Sequence, residues 1–355
     1  MTSNRYAPRR LVSVGDIEPR VSILLAVRDE AAVLDSLLRV LERQTYPSAL
    51  MEVIVAVAPS SDSTEQIVSR FAERNPSCRV LSNRAHTHSE GLRMGLQASQ
   101  GDVIIWLSGH AMVADTYVAS AIEELRRTGA GMVGGRARPV GEGLWGEAIA
   151  LAHELPFGLG GADFRRADTE GWTDTAYLGA YWRRVLDEVG AWDARLIRNQ
   201  DIELNARVRG AGYGIFISPA LAADYRTRST VAGVWRQNFA NGLWWATTIR
   251  TSADSLSLRH MVPLIFVLSV IAGACCWLLG TLVSSEALAL VGYSTLAAVF
   301  AAYLLSCALV VALAARRTGL PIAIRLPLVF AAMHFAYGLG SLRGLFGAQN
   351  LGQNR

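Results

Sequence analysis

Cysteine is scarce in this sequence: four of its 355 residues are cysteine. Cys78 lies in the polar N-terminal part, the other three lie in apolar stretches nearer the C-terminus, and no CxxC pair occurs. Without such pairs the sequence offers neither a disulfide framework nor a structural zinc site. We therefore expect a protein that works in a reducing compartment such as the cytoplasm.

Two common nucleotide-binding signatures are also missing. The first apolar run is followed by Val27-Arg28-Asp29-Glu30-Ala31 instead of a glycine fingerprint, which argues against a dinucleotide-binding dehydrogenase fold. No GK[ST] sequence occurs, which excludes a P-loop. The net charge is +4, but the arginines are scattered and form no basic helix or zinc finger, so nucleic acid is not the expected partner. Anionic ligands and an anionic membrane surface fit this charge better.

Charge is absent from two long C-terminal stretches. Residues 261–285 and 287–315 contain no Asp, Glu, Lys, Arg or His, and each exceeds the roughly 20 residues that a helix needs to cross a bilayer. A shorter third stretch carries His334, and a re-entrant or interfacial helix is its alternative. We predict two to three transmembrane helices, at residues 261–283, 287–315 and 326–342.

The distribution of arginine predicts the orientation of these helices. Arginines flank the first two predicted spans on their outer sides, whereas the connecting loop at 284–286 has none. By the positive-inside rule the large N-terminal part faces the cytoplasm, which predicts a multi-pass protein of the cytoplasmic (inner) membrane. Residues 1–20 are polar and lack the apolar core of a signal peptide, so we expect them to form a polar tail.

The N-terminal part alternates buried strands with amphipathic helices. The predicted strands are Val21–Val27, Met51–Val57, Val80–Leu81 and Val103–Leu107. Continuous apolar strands separated by helices are typical of an α/β fold with a mostly parallel sheet that helices cover on both faces. Ligands of such sheets bind outside the carboxyl ends of the strands.

Polar and small residues therefore become candidates where these strands end. Arg28 and Arg93 can neutralise diphosphate oxygens, although isolated arginines are also ordinary solvated side chains. Ser108-Gly109-His110 ends the fourth strand abruptly. The candidate donor-binding residues are Val27, Arg28, Glu30, Ala58, Arg93, Ser108, Gly109 and His110.

Several longer motifs carry a family resemblance. They are VSILLAVRDEA at the first strand, SDST at 61–64, GDVIIWLSGHA at 101–111, WRQNFANG at 235–242, and the segment 175–216, which contains NQDIELNARVRGAGY. In this order they resemble glycosyltransferase family 2, and within it the bacterial exopolysaccharide enzymes of the succinoglycan type. The resemblance implies a GT-A fold and transfer of a sugar from a nucleotide-sugar donor to an acceptor hydroxyl.

The resemblance also implies a catalytic base. In the family, the aspartate that matches Asp201 takes the proton from the acceptor hydroxyl as it attacks the sugar. The alternative is structural, because Asn199 is a good N-cap and Asp201 is an acid in a first helical turn. The two roles are compatible, since the start of a helix is a rigid mount.

Two positions depart from the family pattern. Ser108 stands where the wider family has the first acid of a D-x-D motif that holds a divalent ion, while His110 keeps the D-x-H pattern of the succinoglycan-type branch. The implied cofactor is Mn²⁺ or Mg²⁺ with His110 as a ligand; the alternative is a His110 that hydrogen-bonds phosphate or ribose without metal. Ala58 follows the second strand where the family has a base-reading aspartate, which leaves Glu30 as a candidate contact to the base or ribose.

A tryptophan-rich segment connects the two parts. Residues 231–249 have the pattern of an amphipathic helix in the headgroup region, with packing against the catalytic domain as the alternative. Gln237, Trp244 and Trp245 are its candidate acceptor or membrane-proximal residues. The QxxRW motif of processive synthases is matched only loosely, because Ala240 and Asn241 stand where its arginine and tryptophan would be, and this favours addition of a single sugar.

These observations predict a division into a polar tail (1–20), a cytoplasmic GT-A catalytic domain (21–229), an interfacial helix and linker (230–259), a membrane domain (260–346) and a tail (347–355). The expected function is transfer of one sugar to a lipid-linked, polyprenyl saccharide in exopolysaccharide or cell-envelope glycan synthesis, with polysaccharide-assembly proteins as further partners. One alternative is a polyprenyl-phosphate sugar synthase. The other is a degenerate transferase that acts as a membrane scaffold, which the missing acids at Ala58 and Ser108 would favour.

Overall fold

The computed structural model describes residues 6–13, 15, 17–159, 170–251 and 258–346. The chain divides into two compact units: Met1–Arg138 with Ala162–Arg226, and Pro139–Gly161 with Thr227–Arg355. Residues 139–161 therefore belong with the C-terminal helices, although they lie inside the stretch predicted as the catalytic domain. The predicted tail 347–355 lies outside the described residues.

The first unit is built on an α/β sheet. Its strands, with the two that form a separate ribbon, are β1 (Val21–Val27), β2 (Met51–Val57), β3 (Cys78–Ser82), β4 (Val103–Ser108), β5 (Met132–Gly135), β6 (Ala137–Val140), β7 (Gly171–Thr173), β8 (Tyr177–Trp182), β9 (Ile215–Ile217) and β10 (Ala223–Arg226). Its helices are α1 (Ala31–Glu42), α2 (Thr64–Arg74), α3 (His88–Ala98), α4 (Tyr117–Thr128), α7 (Arg183–Val189) and α8 (Gln200–Gly210), while α5 (Gly143–Glu154) and α6 (Pro156–Leu159) belong to the second unit.

Eight strands form the main sheet in the order β3-β2-β1-β4-β8-β5-β9-β7, and β10 pairs with β6 in the two-stranded ribbon. Strand β1 runs parallel to β2 and β4, β2 runs parallel to β3, and β8 is inserted antiparallel between β4 and β5. The predicted mostly parallel sheet is confirmed. All seven residues of β1 are buried, which explains its unbroken apolar sequence.

Helices cover the sheet through apolar stripes. Leu34, Leu38 and Phe71 point into the core from α1 and α2 and are at most 2% exposed. Helix α3 approaches the sheet closely at Gly91, where a Cβ atom would lie 2.7 Å from the Cβ of Ala26. This contact therefore fixes the distance between α3 and the end of β1.

The second unit contains α5, α6 and the C-terminal helices α9 (Val231–Thr251), α10 (Val262–Leu282), α11 (Glu286–Thr318), α12 (Leu320–Ala323) and α13 (Leu326–Phe346). Among the described residues, three stretches are long and apolar enough to cross a membrane: Val262–Leu282, Glu286–Thr318 and Leu320–Phe346. They indicate membrane association. The third stretch is longer than residues 326–342, because α12 and α13 together extend the apolar segment at both ends.

Helix α9 packs directly against α13. A Cβ atom on Gly242 would lie 2.1 Å from the carbonyl oxygen of Tyr337, so only glycine permits this approach. Trp245 is 3% exposed and lies in a cluster with Leu264 and Tyr337. Helix packing therefore places its ring inside the second unit. Trp244 is half-buried.

Candidate active site

The carboxyl ends of β1, β2 and β4 lie side by side. In the ladder, Val27 is opposite Val57 and Ala26 is opposite Ser108, and the amide of Ala58 donates a 3.0 Å hydrogen bond to the carbonyl of Val27. One edge of the sheet thus holds most of the candidate donor-binding residues: Val27, Arg28, Glu30, Ala58, Ser108, Gly109 and His110.

A strained turn follows β1. Asp29 has a positive φ of 53°, a backbone conformation that costs a non-glycine residue of the order of 1–2 kcal/mol. Its carboxylate accepts hydrogen bonds from the amide and hydroxyl of Ser61 at 2.6 and 3.0 Å, and its own amide donates to Ser60 Oγ at 3.2 Å. Arg28 turns toward the same carboxylate, with Nε 3.4 Å from Oδ2. These bonds tie the loop after β1 to the loop after β2.

A second carboxylate, that of Asp62, joins the starts of two helices. It accepts from the amide of Ala31, at the start of α1, at 2.9 Å, and from the hydroxyl of Thr64, the first residue of α2, at 2.5 Å. The hydrogen bond from Thr64 and the backbone bonds hold the pKa of Asp62 below its ordinary value. The amide of Glu30 donates a 2.8 Å hydrogen bond to the Thr64 hydroxyl. The backbone of Glu30 is therefore fixed from the start of α2.

The side chain of Glu30 contacts the turn that ends β4. Its Oε1 atom lies 2.9 Å from Nδ1 of His110. Gly109 allows this contact, because a Cβ atom there would lie 2.9 Å from Val27 Cγ1 and 3.1 Å from Glu30 Cγ. The 108–110 turn and the Glu30 side chain consequently form one packed group at the strand ends.

Arg93 differs from the other candidates. Its guanidinium makes two hydrogen bonds to the Glu90 carboxylate on the same helix, at 2.6 and 2.7 Å. The pairing raises the pKa of Arg93 and lowers that of Glu90. The charge of Arg93 is therefore already compensated within α3, which weakens its case as a diphosphate ligand.

Asp201 lies in the first turn of α8 and is half-buried. Asn199 occupies the N-cap position with a positive φ of 61°, so the chain enters this helix through a second strained residue. Burial raises the pKa of the Tyr181 hydroxyl, and the charge of Asp201 raises it further. One turn beyond Asp201, Asn205 is fully buried and accepts from Tyr181 at 2.7 Å while donating to Thr175 Oγ1 at 2.8 Å.

Glu203, the other acid in this helical turn, has a structural partner. It is 6% exposed and pairs with Arg207 through bonds of 2.7 and 2.8 Å. Arg207 also donates to the backbone carbonyls of Gly190 and Ala191 at 3.0 and 2.8 Å. The pair attaches α8 to the segment after α7, and it holds the helix that carries Asp201.

His88 is a site residue that the sequence analysis missed. Its Nδ1 atom lies 3.5 Å from Nε2 of Gln200, the residue before Asp201. Its ring meets the indole of Trp106 edge-on, with 5.7 Å between ring centroids, and Trp106 is two residues before Ser108 on β4. His88 therefore connects the start of α8 with β4. The sequence feature that indicates its position is Thr87-x-x-Glu90, a helix-start pattern that places His88 in the first turn of α3.

Gln237, Trp244 and Trp245 lie on α9, in the second unit, and Asp201 lies in the first. Their predicted role toward an acceptor stays a prediction.

A mostly parallel α/β sheet with polar side chains at the ends of β1, β2 and β4, followed by long apolar helices, is the architecture expected of the GT-A class. Residues 22–190 match the family model described as Glycosyl transferase family 2. This part of the chain is a glycosyltransferase family 2 domain, and the protein is a glycosyltransferase.

Similar proteins agree with this assignment. The chain is 26% identical over 244 residues to the "Succinoglycan biosynthesis protein ExoA" of Rhizobium meliloti. The aligned region covers 68% of this chain and 74% of that protein. It is 22% identical over 231 residues to a "Dolichyl N-acetyl-alpha-D-glucosaminyl phosphate 3-beta-D-2,3-diacetamido-2,3-dideoxy-beta-D-glucuronosyltransferase" of Methanococcus voltae, covering 62% and 71% of the two chains.

The fold is also that of a solved structure, "Mannosyltransferase PcManGT from Pyrobaculum calidifontis in complex with GDP-Man and Mn2+". The TM-score is 0.59 at 16% identity, over 97% of this chain and 93% of that one. At this identity the likeness concerns the fold alone.

A divalent cation is the group that this fold implies, and the residues at the strand ends fit it in part. Glu30 offers a carboxylate and His110 an imidazole, while the Ser108 hydroxyl is buried without a hydrogen-bond partner among the described residues. The described residues contain no group of three or more His, Cys, Asp or Glu side chains placed so that they could hold a metal ion together. This donor set suits an ion that takes its remaining ligands from substrate phosphates and water, as Mg²⁺ usually does.

Proposed function

We propose that this protein transfers a single sugar from a nucleotide-sugar donor to a lipid-linked saccharide at the cytoplasmic face of a membrane, with inversion and with Asp201 as the general base. One observation supports the proposal most directly: the helix that carries Asp201 is held at two points. The hydrogen bond between Tyr181 and Asn205 joins α8 to the sheet, and Gln200, the neighbour of Asp201, contacts His88 beside β4. A carboxylate on a helix that is joined in this way to β8 and, through His88, to β4 is held in place, and this supports its role as the base.

The proposed reaction needs such a mount. Inverting transfer requires a base on the face of the sugar opposite the leaving diphosphate, because the acceptor oxygen loses its proton as it attacks the anomeric carbon. Asp201 takes that proton. Val27, Arg28, Ala58 and the 108–110 turn surround the donor, and a divalent cation, when bound, neutralises charge on the leaving diphosphate. The contacts of His88 with Gln200 and with Trp106 of β4 hold the start of α8 in place, so that the base keeps its distance from the sugar.

The proposed acceptor is a polyprenyl-linked saccharide used in exopolysaccharide or cell-envelope glycan synthesis. The three described helices that are long and apolar enough to span a membrane support a lipid acceptor, and so does the dolichyl-linked acceptor of the Methanococcus voltae relative. The succinoglycan relative supports exopolysaccharide synthesis. Arg316 and Arg317 end α11, and Arg325 follows α12, which by the positive-inside rule supports a cytoplasmic catalytic unit in the inner membrane. The departure from QxxRW at Asn241 supports a single addition.

The test uses full-length protein in membrane vesicles with a panel of labelled nucleotide sugars. We expect transfer to polyprenyl-diphosphate saccharides with inversion at the anomeric carbon, and Asp201→Asn should lower kcat by about 10²–10⁴-fold, the usual contribution of general base catalysis. Asp187→Asn is the matched control, because Asp187 is exposed on α7. Full activity of Asp201→Asn would overturn the catalytic role.

The same assay separates the two alternatives. A polyprenyl-phosphate sugar synthase would accept the lipid monophosphate itself as nucleophile, so a sugar monophosphate lipid as the sole product would overturn the proposed acceptor. A scaffold would show no transfer to either lipid and no binding of any nucleotide sugar by calorimetry, and this pair of results would overturn the enzymatic proposal.

A further inference from the structure

The strand β4 ends in a serine at the position where an acid would hold a cation, yet a carboxylate reaches the same turn from β1. Glu30 Oε1 lies 2.9 Å from His110 Nδ1, two residues beyond Ser108. The Glu30 side chain is 23% exposed and that of His110 is 42% exposed, so the pair is open to a ligand on one side.

The contact is built into the surrounding chain. The Glu30 amide donates to the hydroxyl of Thr64, which fixes the backbone of Glu30 from the start of α2. At Gly109 a side chain would collide with Val27 and crowd the Glu30 side chain. Three separate segments therefore hold the carboxylate against the imidazole.

The chemistry of the pair decides which nitrogen of His110 can bind a metal. An ionised carboxylate only accepts hydrogen bonds, so Nδ1 must carry the proton that it donates to Glu30. In the neutral imidazole Nε2 then keeps its lone pair. Among the described residues Nε2 has no recorded partner, and the ring is half-exposed. A histidine that donates one ring N–H to a carboxylate while its other nitrogen binds the ion is the usual arrangement in metal sites.

We propose that Glu30 is a positioning residue for a divalent cation: it fixes the tautomer and orientation of His110, so that His110 Nε2 binds the ion beside the donor diphosphate, in place of an acid at position 108. The inference rests on the proposed function only in that the diphosphate of a nucleotide sugar completes the coordination. It gives Glu30 a role different from contacting the base or ribose.

The test measures binding of Mn²⁺ by full-length protein in detergent, with UDP and with GDP, from the electron paramagnetic resonance signal of free Mn²⁺. Glu30→Gln keeps an acceptor for Nδ1–H but removes the charge, and it should weaken Mn²⁺ binding about 10–100-fold, the usual effect of losing such an outer partner. His110→Ala should weaken it at least as much. The double variant should be no weaker than His110→Ala, because the two residues act as one unit.

Two further variants make the result specific. Asp35→Asn removes an exposed carboxylate from α1, where it pairs with Arg39, and should leave Mn²⁺ affinity unchanged. Ser108→Asp in the Glu30→Gln background should restore most of the lost affinity, because it returns a carboxylate to the turn. This rescue shows that the loss concerns the cation and not the fold.

Three outcomes would overturn the inference. They are absence of Mn²⁺ binding by the unaltered protein with either nucleotide, unchanged affinity in Glu30→Gln, and an equal loss of nucleotide affinity in Glu30→Gln when Mn²⁺ is chelated, which would make Glu30 a direct nucleotide contact. Asp201→Asn distinguishes this inference from the proposed function, because it should abolish transfer while Mn²⁺ affinity stays normal.

Discussion

Tyr181 donates a 2.7 Å hydrogen bond to the side chain of Asn205, one helical turn beyond Asp201. Tyr181 belongs to β8, which lies in the middle of the main sheet, and both residues are fully buried. Asn205 in turn donates to Thr175 Oγ1 at 2.8 Å. Hydrogen bonds from Tyr181 to Asn205 and from Asn205 to Thr175 therefore join the helix that carries the candidate base to the centre of the main sheet.

Asn205→Ala should loosen this joint. The substitution leaves the hydroxyls of Tyr181 and Thr175 buried without that partner, which typically costs about 1–3 kcal/mol of the free energy of unfolding. Because the start of α8 then moves relative to the sheet, we expect kcat to fall while the KM for the donor changes little. Thermal unfolding and steady-state kinetics measure the two effects. Asn75→Ala, at the end of α2 and far along the chain from the site, should leave kcat unchanged; an unchanged kcat in Asn205→Ala would show that the chain of bonds does not position Asp201.

The sequence predicted the strands β1 to β4, because their signal is local, whereas β5 to β10 were not predicted. The bounds of β1 and β2 agree with the apolar runs Val21–Val27 and Met51–Val57, and β4 extends the predicted strand by one residue, Ser108. A strand that is buried on both faces must be apolar throughout, so its limits can be read from hydropathy alone. The strand ends and their polar residues follow from the same pattern.

Side-chain pairing could not be predicted in this way. The contact between Glu30 and His110 joins residues 80 positions apart and depends on the missing side chain of Gly109. Arg93 pairs with Glu90 three residues earlier, a spacing that helices allow but do not require. Residues 139–161 group with the C-terminal helices because of tertiary packing, which the composition of that segment does not predict.

Alkaline pH should destabilise the first unit. Burial raises the pKa of both Tyr117 and Tyr181 well above the ordinary value. Below about pH 10 these groups hold their protons in the folded and the unfolded chain alike, so they contribute no pH dependence. Above that pH the unfolded chain releases protons that the folded chain retains, and stability falls by about 1.4 kcal/mol per pH unit for each tyrosine.

Thermal unfolding at increasing pH measures this loss, and Tyr181→Phe should make the decline shallower by the share of one group. A decline that is equally steep in Tyr181→Phe and in the unaltered protein would contradict the assignment.

His334 should fasten α6 to the apolar helices. Its Nε2 atom lies 2.8 Å from the carbonyl oxygen of Phe157, and its Nδ1 atom lies 3.0 Å from the hydroxyl of Tyr303. A neutral imidazole that donates from Nε2 and accepts at Nδ1 satisfies both groups. His334→Leu should therefore cost about 0.6–1.7 kcal/mol, the range for polar contacts between membrane helices, and should expose residues 156–159 to added protease.

His334→Gln retains a donor and should recover part of this loss in thermal unfolding in detergent. If leucine at 334 leaves both the unfolding midpoint and the protease pattern unchanged, the two hydrogen bonds do not hold α6.

Glycines should set the distance between α9 and α13. A Cβ atom on Gly340 would lie 2.1 Å from the carbonyl oxygen of Phe239, and one on Gly242 would lie equally close to that of Tyr337. Since both contacts are with backbone atoms, a methyl group can be accommodated only if the helices separate. Gly340→Ala should therefore lower stability by about 1–3 kcal/mol, although alanine is the better helix former. Gly210→Ala is the matched control, because nothing lies within 4 Å of the added Cβ atom at the end of α8. Thermal unfolding of full-length protein in detergent should show a lower midpoint for Gly340→Ala and an unchanged or higher midpoint for the control; equal midpoints for both would mean that α9 and α13 do not depend on this close contact.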